Sequence, residues 1–315
     1  MSVSAQEVGA VAAAVALAAV GGEVFLKGIL GSARLLRLPK LLVATTLAAF
    51  ATSSPELTVS SVAALSGAPE IGLGDALGSN VVNIALVFGI ALLFGPIRVE
   101  RSELGRDFAL ALAAPLATLW LVADDAVTRV EGGALLAVFA AWMFAAVRAG
   151  RTARSIGEEA SGGTRPLAVI LYLLGGLGAL VAAGRLFVYG ASGIAAAFGV
   201  DAYVIGALVV AIGTSLPELV TVLLARLRGH DDVGVGTLLG SNLFNGLAIV
   251  GVAASIHPIR APFAEVAATL LAGVLALLLL VPGKGATIGR ARGAMLLSCY
   301  AAFVLATVAA GRALH

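Results

Sequence analysis

Apolar runs of about 20 residues recur along the whole of this 315-residue chain, and each is long enough to cross a lipid bilayer. Hydrophobic residues make up 60% of the sequence and charged residues only 12%. Ordinary soluble domains carry about 25% charged residues, and a large soluble core does not require apolar segments of this length. The sequence therefore predicts an integral membrane protein.

The positions of these runs predict ten transmembrane helices. Their many small residues favour close helix packing, whereas an outer-membrane barrel shows short segments of alternating polarity. The first run has no positively charged start and continues beyond the length of a signal peptide, so we assign it as the first span. The predicted spans cover residues 6–28, 40–64, 71–94, 107–123, 131–148, 166–190, 201–226, 233–256, 262–281 and 289–311.

The distribution of lysine and arginine between alternate loops predicts the orientation of these helices. Sixteen of the 20 basic residues lie around the loops after odd-numbered spans, and four lie on the opposite side. Because cytoplasmic loops are enriched in Lys and Arg, we expect a multi-pass protein of the cell membrane with extracytoplasmic termini and a cytoplasmic connector at 149–165. The sixteen are Lys27, Arg34, Arg37, Lys40, Arg98, Arg101, Arg106, Arg148, Arg151, Arg154, Arg165, Arg226, Arg228, Lys284, Arg290 and Arg292; the four are Arg129, Arg185, Arg260 and Arg312.

Two polar stretches inside the apolar segments are nearly identical, AFATSSPEL at 49–57 and AIGTSLPEL at 211–219. Their glutamates, Glu56 and Glu218, are 162 residues apart, and the same offset aligns many other polar residues without a gap. Chance similarity between apolar segments does not explain such a set, so the chain is an internal duplication. Matched pairs include Thr52 with Thr214, Ser53 with Ser215, Pro55 with Pro217, Gly67 with Gly229, Gly78 with Gly240, Ser79 with Ser241, Asn80 with Asn242, Asn83 with Asn245 and Arg98 with Arg260.

Each half contains five predicted spans, an odd number, so the second copy enters the membrane upside down. Inverted-topology repeats are typical of secondary transporters, whose binding sites lie near the midplane where the repeats meet. We therefore predict an all-α integral membrane protein with ten transmembrane helices in two inverted-topology repeats of five. The first repeat covers 1–148 with its polar motif at 49–83, the connector covers 149–165, and the second repeat covers 166–315 with its motif at 211–245.

The polar motifs bring oxygen atoms to the middle of the membrane. Each proline removes a backbone donor, which predicts freed carbonyls near Ala49 and Ala211. Thr and Ser precede each glutamate by one turn, and the next span adds GSNVVN at 78–83 or GSNLFN at 240–245. Oxygen ligands suit Ca²⁺ and Na⁺, and the motifs contain no His or Cys, which disfavours Zn²⁺ and Cu⁺. Each buried glutamate costs at least about 2.5 kcal/mol, which bound cations or protons offset.

The sequence therefore predicts a cation site and neither a catalytic residue nor a cofactor. Asn80 and Asn242 are assigned to bracing neighbouring helices. The candidate ligands are the side chains of Thr52, Ser53, Glu56, Ser79, Asn83, Thr214, Ser215, Glu218, Ser241 and Asn245 with the carbonyls of Ala49 and Ala211.

Other features fit simpler interpretations. Asp75 is a candidate further ligand, but its counterpart is Thr237, and the sequence favours an acid near the surface at a helix N-terminus. The single cysteine, Cys299, has no partner for an intramolecular disulfide. A hydrolase built on a motif serine lacks a suitably placed general base. Basic residues are not interleaved with aromatics, which argues against nucleic acid as a partner.

The motif pairs ATSSPE…GSNVVN and GTSLPE…GSNLFN resemble the two repeats of the calcium/cation antiporter superfamily, specifically its prokaryotic sodium/calcium exchanger branch. The resemblance extends over the whole chain. It implies that Glu56 and Glu218 are central ligands shared by Ca²⁺ and Na⁺, and that Asn83 and Asn245 complete the middle of the site. It also implies one flanking Na⁺ site built from Thr52, Ser53, Ser79 and the Ala49 carbonyl, and a second built from Thr214, Ser215, Ser241 and the Ala211 carbonyl.

The resemblance further implies that spans 1 and 6 slide across the rest of the protein to give alternating access. The matches of Phe25 with Phe187 and of Gly28 with Gly190 fit such a symmetric pair. The function that follows is electrogenic exchange of Ca²⁺ for Na⁺, with both ions and the lipid bilayer as the partners and the oligomeric state left open.

Two departures from the family pattern keep alternatives open. Ala51 stands where the family usually has Gly, and Asn245 stands where many prokaryotic relatives have Asp, so the core holds two potential negative charges. Exchange of Ca²⁺ or another cation for H⁺ is the nearest alternative, although the chain lacks the G-N-x-x-E-H signature of the proton-coupled branch. A passive cation channel is the alternative from another class, because oxygen-lined sites also form selectivity filters.

Overall fold

The computed structural model describes residues 3–98, 101–153, 165–199, 209, 211–281 and 287–313. The start of the predicted seventh span (201–208 and 210), most of the predicted connector (154–164), Arg154 and Lys284 lie outside these residues. The helices are α1 (Ala5–Leu36), α2 (Lys40–Thr52), α3 (Ser54–Leu65), α4 (Pro69–Leu93), α5 (Arg101–Leu121), α6 (Arg129–Ala153), α7 (Pro166–Ala197), α8 (Ala211–Thr214), α9 (Leu216–Leu227), α10 (Asp231–Ile256), α11 (Phe263–Leu279) and α12 (Arg290–Ala313).

Seven of the described helices are long and apolar enough to cross a membrane, and two shorter apolar helices accompany them. The prediction of a helical, multi-pass membrane protein is confirmed at this level. Burial separates a centre from a periphery. Most of the apolar length of α4 and α10 is buried, 78% and 83%, against 28% for α1 and α7. The two central helices carry the GSN motifs, so the fold places these motifs away from lipid.

The first helix of each half is longer than predicted. The sequence predicted ends near residues 28 and 190, but α1 and α7 each contain 32 residues. A helix of this length spans about 48 Å, more than the roughly 30 Å of hydrocarbon that it must cross. Lys27 and Arg34 lie within α1 and are exposed. The predicted span ended near them because charged residues limit the stretch of a helix that contacts lipid, although they do not end the helix itself. The helix ends at Leu36, and the capping residue Arg37 has a left-handed φ of 54°.

Helices α1 and α7 lie antiparallel and in backbone contact along much of their length. A Cβ atom at Gly176 would lie 2.6 Å from the Phe25 Cα, and one at Gly28 would lie 2.8 Å from the Leu173 backbone nitrogen. No side chain fits at these two positions. The close approach therefore depends on glycine, as in other membrane helix pairs built on small residues.

The two motif helices are broken at matching serines. Ser53 separates α2 from α3 with φ −85° and ψ 6°, and Ser215 separates α8 from α9 with φ −82° and ψ 10°. In both cases proline follows within the first turn of the next helix, where its missing N–H costs least. Each proline thus lies at the start of the helix that follows the break.

Three π-helical segments are complete within the described part of the chain, next to these breaks. Ala44–Ala48 precedes the first break within α2, and Val82–Phe88 and Phe244–Ile249 occupy the middle of α4 and α10. The last two contain Asn83 and Asn245. Wide turns of this kind are rare and are frequently found at functional sites.

Two small sheets, which the sequence did not predict, join the halves. Strand β1 (Ile97–Arg98) pairs antiparallel with β4 (Thr287–Ile288), and β2 (Ala126–Val127) pairs antiparallel with β3 (Ile259–Arg260). The pairs are too short to give a periodic signal in the sequence. Each links a loop of one half to a loop of the other.

Candidate cation site

The two helix breaks and the two central helices meet at one buried cluster of polar side chains. Glu56 and Glu218 are completely buried, at 0% exposure. The segment that holds Asn83 packs against α9, which carries Glu218, and the segment that holds Asn245 packs against α3, which carries Glu56. Each glutamate-bearing helix therefore packs against the central helix of the other half.

One part of the site, which we call the Glu218 cluster, consists of Thr52, Ser53, Ser241 and Glu218. The Ser53 and Ser241 hydroxyls each donate a hydrogen bond of 3.2 Å to Glu218 Oε1. The Thr52 and Ser241 hydroxyls are 3.4 Å apart. Oxygens from both halves thus converge on one carboxylate.

The opposite part, which we call the Glu56 cluster, is defined by the counterparts of these residues at the 162-residue offset, Ser79, Thr214, Ser215 and Glu56. Both Glu56 oxygens and the hydroxyls of Ser79 and Ser215 are buried without a hydrogen-bond partner among the described residues. The Ser215 hydroxyl lies near the Glu56 carboxylate without completing a hydrogen bond. Thr214 is half-buried and donates to the Ala211 carbonyl at 3.1 Å.

The structure groups the serines differently from the sets that the resemblance implied. Ser241 lies against Thr52 of the first half, although it was expected beside Thr214. Helix α8, which ends at Thr214, packs against the part of α4 that holds Ser79. The reason is that each broken helix crosses the central helix of the other half, so every cluster combines both halves.

The four motif asparagines form two pairs that differ in their hydrogen bonding. Asn83 and Asn245 are completely buried, and all four of their side-chain oxygen and nitrogen atoms lack hydrogen-bond partners among the described residues. Asn80 donates to the Asn242 carbonyl at 3.3 Å, and Asn242 donates to the Leu238 carbonyl at 2.9 Å. The bracing role predicted for Asn80 is confirmed, whereas Asn242 braces its own helix.

The expectation that proline frees the Ala49 and Ala211 carbonyls is wrong. The Ala49 carbonyl accepts hydrogen bonds from the Ser53 N–H at 2.9 Å and the Thr52 hydroxyl at 3.3 Å. The Ala211 carbonyl accepts the Ser215 N–H at 3.2 Å and the Thr214 hydroxyl. The donor missing at a proline belongs to the carbonyl four residues earlier, which is Ala51 for Pro55.

The carbonyl four residues before the proline has a different partner in each half. Ala51 accepts a 2.7 Å hydrogen bond from the Ser54 hydroxyl. The second half has Leu216 at the position of Ser54, and the Gly213 carbonyl instead packs against α7, where a Cβ at Gly184 would lie 2.5 Å from its oxygen. A carbonyl oxygen has two lone pairs, and at Ala49 and Ala211 both accept hydrogen bonds, so a cation bound there would take the place of the threonine hydroxyl.

The chemistry of these atoms fits hard cations. A buried polar group without a partner costs about 1–3 kcal/mol, more when it is charged. The orphaned oxygens of Glu56, Ser79, Asn83, Ser215 and Asn245 therefore need partners, and Na⁺ and Ca²⁺ are bound by carboxylate, amide and hydroxyl oxygens. The residues present thus fit transported cations.

The two sides of the site are not equivalent. A cavity of about 440 Å³ lies between α3, α7 and α9. Its lining includes Ser54 and Arg185 together with Thr214, which belongs to the Glu56 cluster. On the opposite side α1 packs directly against α9, where Glu23 forms an ion pair with Arg228. The Glu56 cluster is therefore approached by a cavity and the Glu218 cluster is covered by a helix.

Comparisons with known proteins identify the family of this chain. The sequence model of the family "Sodium/calcium exchanger protein" matches residues 7–148 and 168–309. The putative antiporter CaxA of Alkalimonas amylolytica is 36% identical over 288 residues, which cover 88% of this chain and 90% of that protein. The sodium/calcium exchanger MaX1 of Methanosarcina acetivorans is 25% identical, with 90% of this chain and 93% of that protein covered.

Solved structures of the sodium-calcium exchanger NCX_Mj have the same fold. One of them, from a crystal soaked with Na⁺ and Sr²⁺, superposes with a TM-score of 0.82 and 28% identity, covering 95% of this chain and 98% of that one. The helical membrane architecture and the buried, oxygen-rich site together are those of a cation transporter. The chain belongs to the sodium/calcium exchanger family.

Proposed function

We propose that this protein is a secondary antiporter that exchanges Ca²⁺ for Na⁺ across the cell membrane by alternating access. The observation that carries the proposal is the buried set of oxygens between the helix breaks. Two carboxylates balance one Ca²⁺ or two Na⁺, and the surrounding hydroxyl and amide oxygens replace water around the ion. MaX1 and NCX_Mj, which carry the name of sodium/calcium exchangers, support the choice of ions.

Within this proposal the sites follow the observed clusters. Glu56 and Glu218 bind Ca²⁺ at the centre, with Asn83 and Asn245 beside them. The Glu218 cluster with the Ala49 carbonyl forms one Na⁺ site, and the Glu56 cluster with the Ala211 carbonyl forms the other. The hydrogen bond of Ser241 to Glu218 supports the placement of Ser241 in the first of these sites.

The proposed fold comprises ten spans in two inverted repeats, 1–148 and 166–315, joined by the connector 149–165. Supporting features recur at the 162-residue offset. Gly67 and Gly229 have left-handed φ values of 81° and 73° in matching turns. The strands β1 and β3 are likewise offset counterparts, each paired with the other half. Two separate matches of the family model to the two halves also support the duplication.

The proposed orientation places both termini outside the cell and the connector in the cytoplasm. It rests on the sixteen-to-four distribution of basic residues. Arg185, which lines the cavity, is one of the four outer residues, so the cavity opens to the outside. The structure then corresponds to an outward-open state, and sliding of α1 and α7 exchanges the open and closed sides.

Reconstituted vesicles loaded with Na⁺ at clamped pH test the coupling ion. We expect Ca²⁺ uptake to follow the Na⁺ gradient and to concentrate Ca²⁺ above its external level. Uptake that ignores the Na⁺ gradient and follows an imposed pH gradient would instead support proton coupling. Flux that neither saturates nor concentrates Ca²⁺ would support a channel.

A further inference from the structure

Asp75 carries a carboxylate that the site described above does not use. It lies in the second turn of α4, where the sequence favoured an acid near the surface. The structure instead leaves the residue half-buried, and its Oδ2 atom is fully buried without a hydrogen-bond partner among the described residues. An unpartnered buried carboxylate oxygen is costly and calls for a ligand.

The packing of α3 on α4 places Asp75 at the level of Glu56. The Ser60 hydroxyl donates to the Gly72 carbonyl at 2.9 Å, and a Cβ at Gly72 would lie 2.7 Å from the Ser60 Cα. Because the helices run antiparallel, the residue one turn before Ser60, Glu56, lies opposite the residues one turn after Gly72. Asp75, three residues after Gly72, therefore lies at the same level of this helix pair as Glu56.

Asp75 also continues the row of site residues along α4. Asp75, Ser79 and Asn83 are spaced by four residues, so they share one face of the helix. Each of the three has a buried polar atom without a hydrogen-bond partner among the described residues. The row leads from the end of α4 near the α3–α4 turn to the centre of the site.

The second half has no equivalent acid. Thr237 occupies the matching position, is completely buried, and donates its hydroxyl to the Val233 carbonyl at 2.9 Å. Among the described residues, no three His, Cys, Asp or Glu side chains gather into one metal-binding group. Asp75 therefore does not complete the central site but occupies a separate position on one side of it.

We propose that Asp75 is an additional cation-binding residue, a station where an entering Na⁺ or Ca²⁺ is held before it reaches Glu56. The inference rests on the proposed exchange function and deepens it. A cation at this position is attracted by two carboxylates, and the Ser79 hydroxyl one turn deeper receives it next. The station acts on one face of the membrane only, because Thr237 carries no charge.

Sided transport measurements test the station. Right-side-out and everted membrane vesicles give the KM for Ca²⁺ at each face. We expect Asp75→Asn to raise the KM at the face of the α3–α4 turn by about tenfold, since the lost attraction acts at short range and low dielectric. The KM at the opposite face and the maximal rate stay within about twofold, because screened charges contribute little at a distance.

Two matched variants complete the experiment. Glu70→Gln removes an exposed acid from the first turn of the same helix and should leave both KM values unchanged. Thr237→Asp adds an acid at the matching position of the second half and should lower the KM at the opposite face. This gain of affinity remains measurable even where Asp75→Asn does not fold.

The outcomes separate the two proposals. Wild-type vesicles without Na⁺-driven Ca²⁺ uptake would overturn the exchange function itself. Normal wild-type exchange, with Asp75→Asn matching Glu70→Gln at both faces, would overturn the station alone. Equal KM changes at both faces would also overturn it, because they would indicate a structural effect without sidedness.

Discussion

The Ser53 hydroxyl donates a 3.2 Å hydrogen bond to the Glu218 carboxylate, although the two residues are 165 positions apart and belong to different halves of the chain. Ser241 donates to the same oxygen. The buried carboxylate of one half is thus oriented by hydroxyls from both halves. This arrangement makes the cation site a property of the assembled pair of repeats.

Removing either serine hydroxyl should weaken cation binding through Glu218. A hydrogen bond to a charged group contributes about 1.5–3 kcal/mol, so Ser53→Ala and Ser241→Ala should each raise the half-saturating Na⁺ concentration by about tenfold or more. Their effects should be non-additive because both hydroxyls act on one oxygen. The measurement is Na⁺-dependent Ca²⁺ flux in proteoliposomes.

Ser54→Ala is the matched control for these variants. Its hydroxyl donates to the Ala51 carbonyl and not to a carboxylate, so its Na⁺ dependence should stay close to that of the wild type. Equal effects of all three substitutions would contradict the role assigned to Ser53 and Ser241.

Restoring an acid at Asn245 should change the number of Na⁺ ions exchanged for each Ca²⁺. The buried core holds two carboxylates, and Asn245→Asp adds a third among side chains that already lack partners. An added buried charge must be neutralised, and one further monovalent cation achieves this. We expect the reversal potential of exchange to shift toward a higher Na⁺ to Ca²⁺ ratio. An unchanged reversal potential would exclude Asn245 from the ion-binding centre.

The glycine contact between α1 and α7 should be essential for movement and stability. Gly176→Ala places a methyl group against the backbone of Phe25, and such overpacking costs about 1–3 kcal/mol. We expect a lower melting temperature in detergent and slower transport. Gly175→Ala is the control, since nothing lies within 4 Å of its added methyl group and alanine favours helix. A melting temperature that falls equally in both variants would contradict this explanation.

The ion pair between Glu23 and Arg228 should bias the protein toward the state with the open cavity. Arg228 is 60% exposed, and exposed ion pairs contribute at most about 1 kcal/mol, which corresponds to a change of about fivefold in the ratio of two states. We expect Glu23→Gln to slow labelling of a cysteine introduced at Val59, which lines the cavity, in a Cys299→Ala background. The label is a membrane-impermeant thiol reagent.

The charge-swapped variant, Glu23→Arg with Arg228→Glu, should return the labelling rate toward that of the original pair. Labelling that does not respond to Glu23→Gln would show that helix packing alone holds this side closed.

The sequence predicted the composition of the site better than its arrangement. Buried polar residues at a fixed offset are recognisable without coordinates because a membrane helix has no other reason to contain Glu56 or Glu218. The pairing of Ser241 with Thr52 depends on how the halves cross, which spacing along one chain does not encode. The burial of Asp75 was missed for a similar reason, because it depends on the close approach of α3 and α4 at Gly72.

The limits of the elements were predictable only in part. Apolar runs located the membrane helices, but α1 continues past Lys27 because hydropathy reports contact with lipid and not the end of the helix. The strands escaped prediction because a pair of two residues has no periodicity. The sequence also contained no sign that the Glu56 cluster lies beside a cavity while α1 covers the Glu218 cluster. The two clusters are built from nearly equivalent residues, so the sequence predicts the same surroundings for both.

Equilibrium binding of ⁴⁵Ca²⁺ to the purified protein tests the central claim most directly, with the wild type compared with the combined variant Glu56→Gln and Glu218→Gln. We expect the wild type to bind Ca²⁺ and to release it as Na⁺ is added, and the combined variant to bind none above background at any Na⁺ concentration. Both proteins should elute as the same folded species. Wild-type, Na⁺-sensitive Ca²⁺ binding in the folded combined variant would contradict the assignment of these two carboxylates as the cation site.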